Sequence, residues 1–226
     1  MAVEASRHSG RVPRILLLYY SFSGQSRRAL EAAGEVFAQR GCEVVEARIE
    51  FTDPRYSPRF ARFPLRRVWP DMFSVLKAQQ RGETGEIRTP EAVRDGEYDL
   101  ICIGSPTWWK APAMPIRSFL KTDDARKLLA GKPFVVFTVC RRYWQENYAE
   151  VCRLGEECGG RYTDEIHFDY PGSPLRSMLS LTSFLGSGRY RERYLGLRLP
   201  PTNIQPEQLD RVGRFTEALI CRLFGK

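Results

Sequence analysis

Histidine is nearly absent from this 226-residue chain, which has only His8 and His167. Imidazole is the commonest metal ligand and the commonest general base. A histidine-built metal centre or a Ser–His triad is therefore not expected, no metal is assigned, and His167 reads as a strand residue. None of the six cysteines (Cys42, Cys102, Cys140, Cys152, Cys158, Cys221) stands in a C-x-x-C pair or at zinc-type spacing. Several fall inside apolar runs, which points to reduced, mostly buried thiols and a cytoplasmic protein. No apolar run reaches the length of a membrane span, and residues 1–13, with Arg7, His8 and Arg11, are not followed by a signal-peptide pattern. There is no G-x-x-x-x-G-K-[ST], hence no lysine aimed at a triphosphate, and no G-x-G-x-x-G dinucleotide fingerprint. Repeats and low-complexity segments are also missing. Acidic residues are in deficit, 27 against 35 lysines and arginines, for a net charge of +8. That balance admits nucleic acid, anionic membrane surfaces or phosphorylated small molecules as partners.

What is present is a core-forming composition, 42% hydrophobic and 12% aromatic, enough for one domain with insertions. Residues 15–20 are continuously apolar, as in a parallel strand covered on both faces. Ser21, Ser23, Gly24 and Ser26 follow at once, and Ala29, Leu30, Ala33, Val36 and Phe37 continue at helical spacing. A helix N-terminus offers unpaired N–H groups and the positive end of the macrodipole. Serine hydroxyls add donors, and glycine lets the backbone close on an anion. The stretch reads as a phosphate cradle at the carboxyl end of the first strand; the plainer alternative is that Ser23 caps the helix.

Further strands are predicted over 42–49, 98–104, 134–139 and 161–169, with helices between them. Residues 70–80, 115–120, 125–130, 147–158 and the segment from about 206 onward are expected to be helical. The strand at 98–104 runs into Ser105-Pro106-Thr107-Trp108-Trp109, where two tryptophans offer broad planar faces. The strand at 134–139 ends in Cys140-Arg141-Arg142-Tyr143.

Ser21-x-Ser23-Gly24-x-Ser26 resembles the [ST]-x-[ST]-G-x-[ST] loop of the flavodoxin-like family, which holds the monophosphate of FMN. The run 101–109 is similar to that family's third strand and flavin loop, apolar-apolar-G-[ST]-P followed by [TV]-[WY]. The resemblance covers most of the chain outside two insertions, at about 51–90 and 171–201. It implies a doubly wound five-stranded parallel sheet in the order 2-1-3-4-5, with helices on both faces and the ligand at the carboxyl edge. It also implies noncovalent FMN held by Ser21, Phe22, Ser23, Gly24, Gln25 and Ser26, by Ser105, Pro106, Thr107, Trp108 and Trp109, and by Cys140, Arg141 and Tyr143. The chemistry would then reside on FMN, with no catalytic side chain assigned.

Two departures matter. The loop after the fourth strand lacks the usual glycines, and the chain is basic where electron-carrying flavodoxins are acidic. The expected activity is NAD(P)H-dependent, FMN-mediated electron transfer to a quinone or similar small acceptor. The rivals are a non-catalytic electron carrier and a basic binding module that has lost its flavin. Arg141 and Arg142 either neutralise charge at the flavin and its substrate or form surface ion pairs. Cys140 is either a redox thiol or a buried strand end.

The first insertion interleaves Arg55, Arg59, Arg62, Arg66 and Arg67 with Tyr56, Phe60, Phe63 and Trp69. Its prolines favour a lid over a single-strand stacking platform, so nucleic acid is not an expected partner. Arg62, Arg66, Arg67 and Arg142 are the expected contacts for an anionic substrate. In the second insertion, the apolar face of Leu175, Met178, Leu179, Leu181, Phe184 and Leu185 suits a second copy of the chain or packing against the lid. A peripheral membrane contact is the less favoured reading.

Overall fold

Each apolar run of the sequence becomes a strand because both faces of the sheet it joins are covered. The computed structural model describes residues 11–170, 172–201 and 204–225. Arg7, His8 and Pro171 lie outside them. In chain order the elements are β1 (Arg14–Tyr19), α1 (Gln25–Gln39), β2 (Glu43–Arg48), β3 (Glu50–Phe51), α2 (Ser57–Phe60), α3 (Val68–Ser74), α4 (Leu76–Gln80), β4 (Ile87–Arg88) and α5 (Glu91–Asp95). Then come β5 (Leu100–Trp108), β6 (Ala111–Pro112), α6 (Met114–Leu120), α7 (Asp123–Leu129), β7 (Pro133–Val139), α8 (Trp144–Glu157), β8 (Arg161–Phe168), α9 (Pro174–Ser187), β9 (Arg193–Tyr194), β10 (Leu197–Arg198) and α10 (Pro206–Phe224).

The main sheet runs β2-β1-β5-β7-β8, all parallel, with Leu17 opposite Glu46 on one side and Cys102 on the other. This is the order expected from the sequence. Successive β1 side chains point to opposite faces. Leu16 and Leu18 enter one core with Ile101, Ile103 and Val136, and Ile15 and Leu17 enter the other with Cys102, Val135 and Phe137. The second core is closed by α1 and α10, through Ala29, Ala33, Phe37, Val212, Leu219 and Ile220. Gly34 permits that approach, since a Cβ there would lie 2.8 Å from Leu17 Cδ1. Burial of about 1.5–3 kcal/mol per large aliphatic side chain makes these two layers the main source of stability.

Two expectations need correction. The strand expected to end at Gly104 continues to Trp108, because Pro106 still faces Val139 and Thr107 and Trp108 pair antiparallel with Pro112 and Ala111. The helix expected over 70–80 is two short helices meeting at Val75, whose side chain is fully buried. The first insertion is anchored in the core through Phe60, Leu65, Val75 and Ala78, and the antiparallel pair β3–β4 closes its base.

At that base the buried Asp53 carboxylate accepts hydrogen bonds from Arg55 N at 2.9 Å, Arg55 Nη2 at 2.8 Å and Glu86 N at 3.2 Å. The second insertion is likewise packed. Leu65 N donates to Leu185 O at 2.7 Å, and Phe63 meets Phe184 with ring centroids 5.2 Å apart. The apolar side of α9 therefore faces the first insertion.

Candidate functional site

β1 delivers the chain to the carboxyl edge of the sheet, where residues 20–24 turn into α1. Gly24 holds φ +80°, a left-handed conformation that a Cβ disfavours, and as the N-cap residue it brings no side chain to the helix end. The plainer alternative, capping by Ser23, does not occur. Ser21 Oγ instead accepts from Arg27 N at 3.3 Å. Ser26 is buried and its hydroxyl has no partner, an arrangement that costs about 1–3 kcal/mol unless a ligand fills the role. The N-terminus of a 15-residue helix, a left-handed glycine and an unpaired buried hydroxyl are the features that an anion cradle requires.

Gln25 turns away from it in part. Its Oε1 accepts from Ile204 N at 2.8 Å, while Arg28 Nη1 donates to Ile204 O at 2.9 Å. The cradle is thus tied to the segment entering α10, a link the sequence did not reveal.

The second loop is held from behind by Asn147 of α8, another residue that sequence reasoning missed. Its Nδ2 donates to Thr107 Oγ1 at 2.8 Å and to Ser105 O at 3.3 Å, and its Oδ1 accepts from Ser105 Oγ at 2.7 Å. Ser105 is fully buried. Its hydroxyl donates into this clamp, whereas the sequence had suggested that it faces a ligand.

Gln79 of α4 is the second hidden support. Its Nε2 donates to Pro112 O at 2.7 Å and Trp108 O at 3.2 Å, fixing the β5–β6 turn. Arg117 is buried beside it and donates to Glu150 Oε1 at 2.6 Å. An asparagine and a glutamine within amphipathic helices carry no spacing signal, so only their burial identifies them.

The two tryptophans part company. Trp108 is buried against Tyr20, Phe51 and Phe60, at centroid distances of 5.7, 6.1 and 4.8 Å, and still lines the cavity described below. Trp109 holds φ 63° and stacks on Phe73 at 5.6 Å, away from that cavity.

In the third loop Cys140 and Arg141 line the cavity, and Tyr143 does not. Tyr143 is half exposed at φ 61° and lies under Lys110 Nζ at 5.4 Å. Two of the three non-glycine residues with positive φ among the described residues thus flank this edge, where local strain commonly accompanies a binding site. Burial, with Asp169 adding to it, pushes the Cys140 thiol up to about 12, so the group is a neutral thiol at physiological pH. Arg141 Nη1 donates to Ser177 Oγ at 2.6 Å; burial first, then Arg142, draws its pKa downward. Arg142 reaches Gly172 O at 3.4 Å.

These three loops enclose a cavity of about 140 Å³. Ser21, Phe22, Ser23, Gln25 and Ser26 form one end, Pro106, Thr107 and Trp108 one wall, and Val139, Cys140 and Arg141 the other. Phe60 and Met72 from the first insertion and Leu181, Phe184 and Leu185 from α9 roof it. Arg62, Arg66 and Arg67 lie elsewhere. With Arg59 and Asp71 they ring a separate, open cavity of about 640 Å³ that shares no lining residue with the first. Among the described residues no carboxylate lies within ion-pair distance of the Arg62, Arg66 or Arg67 guanidinium, although Arg67 N donates to Asp71 Oδ2 at 3.0 Å.

No protein-family model matches the chain. An NAD(P)H dehydrogenase (quinone) from Archaeoglobus fulgidus is 25% identical over 128 residues, which covers 55% of this chain and 60% of that protein. The chain therefore aligns with less than two thirds of that relative's length. Oxidised flavodoxin 1 from Bacillus cereus superposes with a TM-score of 0.51 and 13% identity, over 93% of this chain and 99% of the flavodoxin. A flavoprotein in complex with FMN from Lactobacillus acidophilus gives a TM-score of 0.50 and 19% identity, over 69% of this chain and 93% of its own. The fold is flavodoxin-like, and the cradle, the Pro106–Trp108 wall and the Cys140–Arg141 wall stand at its carboxyl edge.

Proposed function

We propose that the chain is a cytoplasmic FMN-binding oxidoreductase that takes electrons from NAD(P)H and passes them to a quinone or similar small acceptor. The observation that carries this reading is the cradle: Gly24 at φ +80°, the α1 N-terminus and the unpaired buried Ser26 hydroxyl, opening between the second and third loops. The donor set fits a phosphate monoester. The ring slot is narrower than the roughly 300 Å³ of an ordinary ligand pocket, so a flavin ring would enter as α9 and the first insertion move apart.

FMN, when bound, supplies the hydride and one-electron chemistry. The chain's own residues do the rest. The α1 N-terminus and Ser26 hold the phosphate. Asn147 and Gln79 fix the backbone beside the ring. Arg141 places positive charge at the opposite wall. Phe60, Met72, Leu181 and Phe184 exclude water. The unpaired Arg62, Arg66 and Arg67 are where we place the anionic part of the reductant. The enclosed ring slot favours an enzyme over a carrier, since a carrier exposes its flavin edge to a partner. The name of the Archaeoglobus relative supports the same direction.

The test is titration of flavin-free protein with FMN and with riboflavin, followed by NADPH oxidation with a quinone and no protein partner. FMN should bind at least tenfold more tightly than riboflavin, about 1.4 kcal/mol, and turnover should follow. Flavin binding without turnover would indicate an electron carrier. No flavin binding at all would indicate a basic module on a flavin-binding fold.

A further inference from the structure

We propose that the β9–β10 hairpin is a membrane-docking finger that inserts its leucine tip into the headgroup region of an anionic phospholipid surface. The proposal goes beyond the flavin reading and does not depend on it. Leu195 and Gly196 form the tip, at φ 49° and 75°. Asparagine or aspartate ordinarily precedes glycine in such a turn, and a bulky side chain there is strained. Leu195 is nevertheless 76% exposed, the most exposed of the large apolar residues among those described. Leu197 beside it is also exposed. Folding alone selects neither the residue type nor its position.

The charges repeat the anomaly. Arg193 and Arg198 stand directly opposite each other across the hairpin, and like charges so placed destabilise a strand pair. Arg189 and Arg191 flank them, all four are exposed, and Glu192 is the sole acidic residue between Pro174 and Gln205. Among the described residues none of these arginines has a carboxylate within ion-pair distance. At the finger's root, Leu199 is buried, its N–H donates to Glu192 O at 2.7 Å, and Tyr190 Oη donates to Leu199 O at 3.1 Å. The tip is therefore projected from a fixed base.

Beside that base Arg176, Tyr190 and Arg198, together with Glu192, line an open cleft of about 580 Å³ in which the guanidinium groups outnumber the carboxylate. Leu175, next to Arg176 at the start of α9, is 67% exposed. An anionic bilayer answers every one of these features: it takes the leucines into its interface, neutralises the facing arginines and fills the cleft with phosphate. Among the described residues no helix is long and apolar enough to cross a membrane.

The experiment is co-sedimentation of the full chain with mixed phosphatidylcholine–phosphatidylglycerol vesicles at physiological salt, with pure phosphatidylcholine vesicles in parallel. The parent protein should pellet with the mixed vesicles only. Leu195→Gly removes the backbone strain, so its thermal stability should match or exceed the parent's, yet its partitioning should fall at least about tenfold. Arg193→Gln and Arg198→Gln should each weaken it about fivefold while sparing the fold. A parent protein that remains in the supernatant overturns the proposal. So does Leu195→Gly pelleting like the parent, which would reduce the effect to net charge. Sedimentation velocity covers the remaining case: a Leu195→Gly change that splits a dimer and leaves vesicle partitioning intact makes the tip a subunit contact, and the proposal fails.

Discussion

Replacing Asn147 with alanine should damage this protein more than any surface change of similar size. Asn147 is fully buried and makes three hydrogen bonds to β5, to Ser105 Oγ, Ser105 O and Thr107 Oγ1. Each such bond contributes about 1 kcal/mol net, and a buried polar group left unpaired costs about 1–3 kcal/mol. Ser105 has no exposure through which water could replace the lost partner. The expected loss is about 3 kcal/mol, a fall in Tm of about 6–12 °C for a chain of this size. Urea unfolding of Asn147→Ala, Ser105→Ala and the double variant would measure it.

Ser105→Ala alone should lose about 1 kcal/mol, and the double variant should lose less than the sum by about 1 kcal/mol, because the two residues share a bond. FMN affinity should fall along with stability, since the same clamp sets the position of Pro106 to Trp108. A loss below about 1 kcal/mol for Asn147→Ala, or additivity within about 0.3 kcal/mol, would refute the clamp.

Other consequences are as direct. Cys140, held as a thiol by burial, should resist alkylation at pH 8 while the exposed Cys221 reacts, as read by peptide mass spectrometry. The Asp53 carboxyl is held below its ordinary value by hydrogen bonding to Arg55, against the opposing effect of burial. Its ionised form therefore adds stability at neutral pH, and that stability is lost as pH falls below about 3.9 and through the lower folded value. Asp53→Asn should be less stable than the parent at pH 7, with the gap closing in acid, as followed by urea midpoints across pH. Replacing Arg62, Arg66 and Arg67 together with glutamine should raise KM for NADPH more than for NADH and leave FMN content unchanged; equal kinetics for both nicotinamides would remove the first insertion from reductant binding.

The sheet and the turn at residues 21–26 were legible in the sequence because their signals are local. A strand buried on both faces must be apolar throughout, as in residues 15–20, and a turn that closes on an anion needs glycine and small donors in adjacent positions, as in Ser21–Ser26. Helix spacing and proline breaks placed most of the remaining elements within a few residues. Tertiary structure alone decided what surrounds the site. Whether Trp109 faces the cavity or Phe73 depends on one left-handed backbone angle, which no pattern of residue types encodes. Asn147, Gln79 and Ile204 lie 42, 29 and 179 residues from the loop residues they hold, and a single polar residue in a helix carries no mark of its partner. The insertion arginines alternate with aromatics in sequence, and only packing of Phe60, Phe63 and Leu65 turned the aromatics toward the core and left Arg62, Arg66 and Arg67 around a separate cavity. Periodicity records which face of an element is buried; what that face meets is set by chain segments that the local sequence does not contain.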